Sequence, residues 1–157
     1  MRLSVRKGFG FGLTSGIITT LGLIVGLNSS THSLIAVIGG ILTIAIADAL
    51  SDSLGIHVSE EFENQHTTKE IWESTFSTFI SKFVFALTFI VPFLFLQIST
   101  AIIVCVVWGL SLIAIFSYFM VKQENVAPYK VILEHLIIAI MVIVITYYVG
   151  DFIARFT

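Results

Sequence analysis

Five long apolar runs, each about the length of a helix that crosses a bilayer, constrain this chain more than any other feature of its sequence. A hydrocarbon core of about 30 Å requires about 20 predominantly apolar residues per helix. Five segments meet that requirement, and we place them at 9–27, 34–56, 75–96, 100–121 and 131–154. Because 57% of the residues are hydrophobic and only 11% are charged, residues 1–157 are predicted to form a single all-α integral membrane domain.

The composition also excludes several other classes of protein. A single cysteine, Cys105, rules out a disulfide framework or a cysteine metal cluster. The net charge of −2 gives no reason to expect a nucleic-acid partner. The basic N-terminus followed by an apolar run resembles a signal peptide, but the run is long, is interrupted by glycines and lacks a cleavage motif. We therefore interpret it as the first span.

The connections between the predicted spans are short, which indicates an antiparallel succession of helices. We expect polar turns at 28–33 and 97–99, an acidic cytoplasmic loop at 58–74 and a further loop at 122–130. Pro92 lies inside the third span and predicts a kink there. Pro128 is suited to the start of the fifth span.

The basic residues predict the orientation. Lys and Arg are enriched in cytoplasmic loops, and of the eight in this chain all but Arg155 fall on the side of the N-terminus. This count includes Lys69 and Lys82, which we expect to flank the exit of the acidic loop. The N-terminus is thus predicted to be cytoplasmic and the C-terminus outside or lumenal.

Small residues in the first two spans predict close helix packing. Gly8, Gly12 and Gly16 recur at four-residue spacing, which lets helix backbones approach one another. We expect spans one and two to pack tightly, or one of them to pack across a dimer axis. Ordinary packing without a role in transport is the alternative.

Asp48 and Asp52 are the most informative polar residues, because carboxylates inside a membrane helix are costly and tend to face an interior or a bound cation. From the 1.5 Å rise per residue, Ser15, Asp48, Ser51 and Asp52 can share one layer in the cytoplasmic half. Carboxylate and hydroxyl oxygens suit divalent ions such as Mn²⁺, and carboxylate with imidazole also suits Fe²⁺. The alternative is that the aspartates bond to hydroxyls or pair with Lys82.

The acidic loop supplies a second group of candidate ligands. If both flanking helices extend beyond the membrane and Thr67 or Thr68 caps the second of them, five carboxylates and an imidazole surround one volume. This predicted capture site for a divalent ion comprises Glu60, Glu61, Glu63, His66, Glu70 and Glu73. A solvated charged hairpin is the alternative. Glu134, at the start of the fifth span, is a candidate proton relay.

Two segments resemble the vacuolar iron transporter family. Residues 11–27 (FGLTSGIITTLGLIVGL) are similar to its first helix, and residues 47–57 (ADALSDSLGIH) to its second. By this resemblance Ser15 replaces an aspartate of the family and Asp52 a methionine, which implies a preference for harder ions. The family's long glutamate-rich cytoplasmic domain is reduced here to the short acidic loop. Members are homodimers that export Fe²⁺ or Mn²⁺ from the cytosol, in exchange for protons.

We therefore predict a homodimeric divalent-metal exporter rather than an enzyme, with metal as substrate and no prosthetic group. Release outward would follow protonation of one carboxylate, since two close carboxylates repel each other. An aspartyl protease needs its two aspartates on facing helices, whereas Asp48 and Asp52 share one. The alternatives are a transporter of another cation, a proton-coupled small-molecule exporter or a non-transporting accessory subunit. We expect a prokaryotic plasma membrane rather than a vacuolar or other organelle membrane.

Overall fold

The computed structural model of the chain describes residues 2–121 and 127–156, which are almost entirely helical. The helices are α1 (Leu3–Thr31), α2 (Leu34–Glu63), α3 (Thr68–Thr88), α4 (Val91–Phe95), α5 (Ile98–Val121) and α6 (Pro128–Ala154). Because α3 and α4 together form one crossing, the described residues contain five segments that are long and apolar enough to span a membrane. The prediction of an all-helical membrane protein with five spans is confirmed.

A break in the third span separates α3 from α4. The last turn of α3 tightens, with the Phe89 amide donating to the Ala86 carbonyl at 3.2 Å, and α4 then begins with Pro92 in its first turn. Proline is tolerated at a helix start because the missing amide would have no partner there. The kink predicted from Pro92 is therefore present as an interruption of the helix.

The connections are shorter than the sequence suggested, because strong caps let the helices extend. Ser33 caps α2 by accepting a hydrogen bond from the Ala36 amide. Thr67 and Glu70 form a capping box at the start of α3. As a result the segment 58–74, expected as a loop, is helical except for residues 64–67. Of the expected loop 122–130, residues 122–126 lie outside the described residues, and α6 begins at Pro128 as predicted.

Basic side chains collect where α1 begins, which we call the N-terminal end of the bundle. Arg2 pairs with Glu73 of α3, and Lys7 pairs with Glu60 near the end of α2. Lys82 is not among these residues. It was expected beside a loop, but it lies in the middle of α3 and its side chain is buried.

Helix α1 is the central helix of the bundle, and its glycines set its distance from its neighbours. A Cβ atom built on Gly8 would lie 2.9 Å from Ser74 Cα, and one on Gly12 would lie 3.0 Å from Thr78 Cα. The contacting residues of α1 and of α3 follow one another in the same direction along the chain, so the two helices run parallel along this face.

Farther along α1, the glycines face a different helix. A Cβ built on Gly26 would lie 3.5 Å from Thr146 Cβ of α6. On α2, by contrast, Gly39 and Gly55 have no atom within 4 Å of a built Cβ. The glycines of α1 therefore serve mainly contacts with α3 and α6, while the expected close packing of spans one and two is made at Gly40 of α2, where a built Cβ would lie 2.9 Å from Leu23 Cδ2 of α1.

Candidate ion site

The candidate site lies where α2 crosses α1 and α3. Asp48 and Asp52 are one helical turn apart on α2, so both carboxylates project toward the same neighbours. Their side chains are 29% and 22% exposed. This partial exposure leaves room for an ion or water to reach the oxygens, which full burial would not.

Lys82 of α3 places its ammonium group between the two carboxylates. Its Nζ atom lies 2.5 Å from Asp48 Oδ2 and also pairs with Asp52 Oδ2. Only 1% of the Lys82 side chain is exposed. A buried ammonium needs compensating charge, and the two aspartates provide it. The arrangement carries a formal charge of −1, since two carboxylates surround one ammonium.

Two hydroxyl groups of α1 complete the arrangement. Ser15 accepts a hydrogen bond from Lys82 Nζ at 2.9 Å and donates one to Asp52 Oδ2 at 2.6 Å. Thr19, one turn farther along α1, donates to Asp48 Oδ2 at 3.1 Å. Three oxygen atoms, from Ser15, Asp48 and Asp52, thus converge on the single point that the ammonium nitrogen occupies.

The structure brings together three of the four residues that the sequence placed in this layer. Ser15, Asp48 and Asp52 are within hydrogen-bond or ion-pair distance of one another or of Lys82. Ser51, the fourth, lies on the exposed face of α2. The pairing of the aspartates with Lys82, which was the alternative interpretation, is the arrangement observed.

The acidic residues near the N-terminal end do not form one cluster, although Lys7 Nζ contacts both Glu60 and Glu63, at 3.3 Å and 3.6 Å. Glu60 is buried, accepts a hydrogen bond from Ser74 at 2.5 Å and lies 3.3 Å from Lys7 Nζ. Glu73 accepts a hydrogen bond from Ser4 at 3.0 Å and pairs with Arg2. These two carboxylates hold α1 against α2 and α3.

The other acidic residues have local partners. His66 contacts Glu63 at 3.1 Å, Glu61 contacts His57 at 3.5 Å, and Glu70 caps α3. Within residues 2–121 and 127–156, no three His, Cys, Asp or Glu side chains form a group that could hold a metal ion. The six residues of the predicted capture site therefore do not surround one volume in this conformation.

Glu134, the candidate proton relay, is exposed on α6. Its neighbour His135 is more enclosed, with Nδ1 lying 2.7 Å from the hydroxyl of Ser117 on α5. This pair lies on helices other than those that carry the aspartates. The role of Glu134 remains a prediction.

Two residues of the site were not predicted as its members, although each left a signal in the sequence. Lys82 is an ionisable residue within an apolar span, and such residues usually have a buried partner. Thr19 follows Ser15 at four-residue spacing, which places both hydroxyls on one face of α1. Because Lys82 was expected beside the acidic loop, it was not predicted to be a member of the site.

Comparison with known proteins identifies the family. The profile of the VIT family matches residues 52–151, which is 100 of the 157 residues of the chain. This chain belongs to the VIT family. The resemblance to vacuolar iron transporters is thereby confirmed. VIT-family proteins are membrane transporters of divalent metal ions rather than classical enzymes.

The VIT-family match begins within the candidate site. It includes Asp52 and Lys82, whereas Asp48 and the hydroxyls of α1 precede the matched range. No curated protein matches the chain significantly.

Proposed function

We propose that this VIT-family protein is a homodimeric transporter that exports Fe²⁺ or Mn²⁺ from the cytosol, in exchange for protons. The observation that carries the proposal is the convergence of oxygens from Asp48, Asp52 and Ser15 on one point. A charged site inside an otherwise apolar bundle is costly and marks ion pathways. Carboxylate and hydroxyl oxygens are hard ligands suited to divalent ions.

The position of the aspartates along α2 supports a role in translocation. Asp48 precedes the end of α2 at Glu63 by a length of helix that corresponds to about 22 Å, and Asp52 by about 16 Å. The 30 residues of α2 correspond to about 45 Å, so the site lies near the middle of the helix. An ion bound there is remote from both ends of the bundle.

The distribution of basic residues supports the proposed orientation of the bundle in the membrane. Arg2, Arg6 and Lys7 cluster at the N-terminal end of the bundle, and basic residues favour the cytoplasmic side. We propose that this end faces the cytosol of a prokaryotic cell, where its acidic side chains attract cations toward the site. Metal capture by the acidic segment requires those side chains to exchange their present partners.

The exposed face of α2 supports a dimer. Small residues recur along it at four-residue spacing, namely Gly39, Thr43, Ala47, Ser51 and Gly55, and all are exposed. Such a stripe allows a second helix to approach closely. A two-fold contact there would put the partner beside the aspartates.

Cysteine cross-linking tests this interface. Ala47→Cys in a Cys105→Ser background is expected to form a disulfide-linked dimer in the membrane, because the linked Cα atoms must lie within about 7 Å. Val107→Cys, on the exposed face of α5, is the matched control. Equal cross-linking of the two variants, or none at Ala47, would place the dimer contact elsewhere.

Flux into proteoliposomes tests the transport proposal. We expect wild-type protein to move Fe²⁺, Mn²⁺ or Co²⁺ under a proton gradient, and Asp48→Asn and Asp52→Asn to abolish the flux. Asp151→Asn is the matched control, because Asp151 lies at the other end of the bundle in an exposed pair with Arg155. Absence of flux for every ion, or unchanged flux in both site variants, would refute the proposal.

A second candidate function would use the same carboxylates. In the structure Asp48 and Asp52 pair with a monovalent cation, the Lys82 ammonium. A transporter of another cation, or a proton-coupled exporter of small molecules, would use the same carboxylates. Flux of Na⁺ or K⁺ with no flux of divalent ions would favour this alternative, and no flux of any solute would favour an accessory subunit.

A further inference from the structure

The path of the Lys82 side chain into the site depends on Gly16 of α1. Its stem crosses Gly16 of α1, where an added Cβ would lie 3.0 Å from Lys82 Cγ. The absence of a side chain at Gly16 therefore leaves the passage through which the lysine reaches Asp48 and Asp52 on α2. The backbone of α1 and the lysine of α3 fit one another.

The Lys82 ammonium occupies the position that a bound ion would take. Its nitrogen touches an oxygen of Asp48, of Asp52 and of Ser15. A metal ion bound by the same oxygens would lie within contact distance of that nitrogen, and two cations so close repel each other strongly. The ammonium and the metal ion therefore cannot be bound at this point together.

We propose that Lys82 is a tethered competitor that holds the ion position until a divalent ion displaces it, and that it determines the charge of the ion accepted. This inference rests on the proposed transport function. Lysine suits the role because its ammonium is a compact charge on a flexible stem.

The selectivity follows from charge. A monovalent ion that displaces the ammonium leaves the pair of carboxylates with the same net charge of −1, so the exchange brings no electrostatic stabilisation. The tether also gives the ammonium a high effective concentration, which a free monovalent ion must overcome. A divalent ion neutralises both carboxylates of Asp48 and Asp52, so only its exchange for the ammonium is electrostatically favourable.

Lys82→Met tests the inference, because methionine retains an apolar stem beside Gly16 and removes the ammonium with its charge and its hydrogen bond to Ser15. We expect Mn²⁺ to bind the purified variant about tenfold more tightly or better, since a full positive charge is removed at contact distance. We also expect Na⁺ to compete with Mn²⁺ in this variant more strongly than in wild type. Lys69→Met, an exposed lysine on the same helix, is the control and should bind as wild type does.

A second comparison protects the test against misfolding, because Lys82→Met leaves two carboxylates without their cation. The double variant Lys82→Met/Asp52→Asn restores the net charge of −1. It should bind Mn²⁺ more tightly than Asp52→Asn alone, which has the same carboxylate and retains the ammonium. Equal or weaker binding in either comparison would overturn the inference.

The outcomes separate this inference from the proposed function. Metal flux in wild type with no gain of affinity in Lys82→Met overturns the competitor role and leaves the transport function. Tighter binding in Lys82→Met without flux in any variant supports competition and overturns transport. Absence of Mn²⁺ binding in every protein overturns both.

Discussion

The close contact between α1 and α3 makes Gly12→Ala the most informative single substitution. A Cβ at this position would lie 3.0 Å from Thr78 Cα and would overlap the Thr78 carbonyl oxygen and the Ser81 hydroxyl. Carbon atoms pack best at about 3.5–4.0 Å, so α3 must withdraw by roughly 0.5–1.0 Å. Overpacking of this kind costs about 1–3 kcal/mol.

Gly10→Ala is the matched control for this substitution. It is the same change within the same helix, but the nearest atom to the added Cβ is Met120 Sδ at 3.5 Å, an ordinary van der Waals contact. Alanine is favoured over glycine in helices by up to about 1 kcal/mol, so this variant should be as stable as wild type or slightly more stable. The gain in helix propensity is common to both variants, so they should differ in free energy of unfolding by the overpacking cost of about 1–3 kcal/mol.

Unfolding in mixed micelles, with a rising fraction of sodium dodecyl sulfate and intrinsic tryptophan fluorescence as the readout, measures this difference. Lys82 lies one turn beyond Thr78 on α3, so withdrawal of that helix from α1 also separates the ammonium from the Ser15 hydroxyl. Equal unfolding midpoints for Gly12→Ala and Gly10→Ala would refute the reasoning, because the predicted overlap would then have no energetic effect.

Three further predictions concern the caps and polar contacts. Thr67→Ala removes the cap of α3 and should lower the free energy of unfolding by about 0.5–2 kcal/mol, measured by the same titration. Glu60→Gln replaces a buried carboxylate that Lys7 and Ser74 contact and should lower the free energy of unfolding by about 1–3 kcal/mol. Glu61→Gln, at an exposed position, should stay within about 0.5 kcal/mol of wild type. Equal losses of unfolding free energy in the two variants would contradict a stabilising role for the buried Glu60 carboxylate. Thr19→Val removes the hydroxyl that donates to Asp48 and should reduce metal flux severalfold, whereas unchanged flux would show that this hydrogen bond does not orient the carboxylate.

The number and position of the spans could be predicted from the sequence because each depends on local information. Apolar length is a property of one segment, and Pro92 disturbs the helix that contains it. The helix ends were harder to predict, since the polar residues from Glu60 to Glu73 resemble a loop. The capping box at Thr67 and the ion pairs with α1 stabilise them as helix, and these pairs join residues far apart in the chain.

The aspartates of the site could be predicted, whereas their partners could not. A carboxylate inside an apolar helix is energetically costly, so Asp48 and Asp52 could be identified from their position within an apolar run. Which residue faces them depends on how α3 packs against α1, and that depends on glycines whose partners the sequence does not name. The position of Lys82 between Gly16 and the two aspartates is a result of that packing.

The position of α1 between α3 and α6 has a consequence for biogenesis. Its second half meets α6, where Ser29 donates a hydrogen bond to the Tyr147 carbonyl across 118 residues of sequence. Helices in a bilayer associate after insertion, largely through packing of this kind. A nascent chain that has inserted only α1, α2 and α3 already contains every residue of the candidate ion site, but the side of α1 that later packs against α6 is still exposed to lipid. The candidate ion site can therefore form during synthesis before the bundle that encloses it is complete.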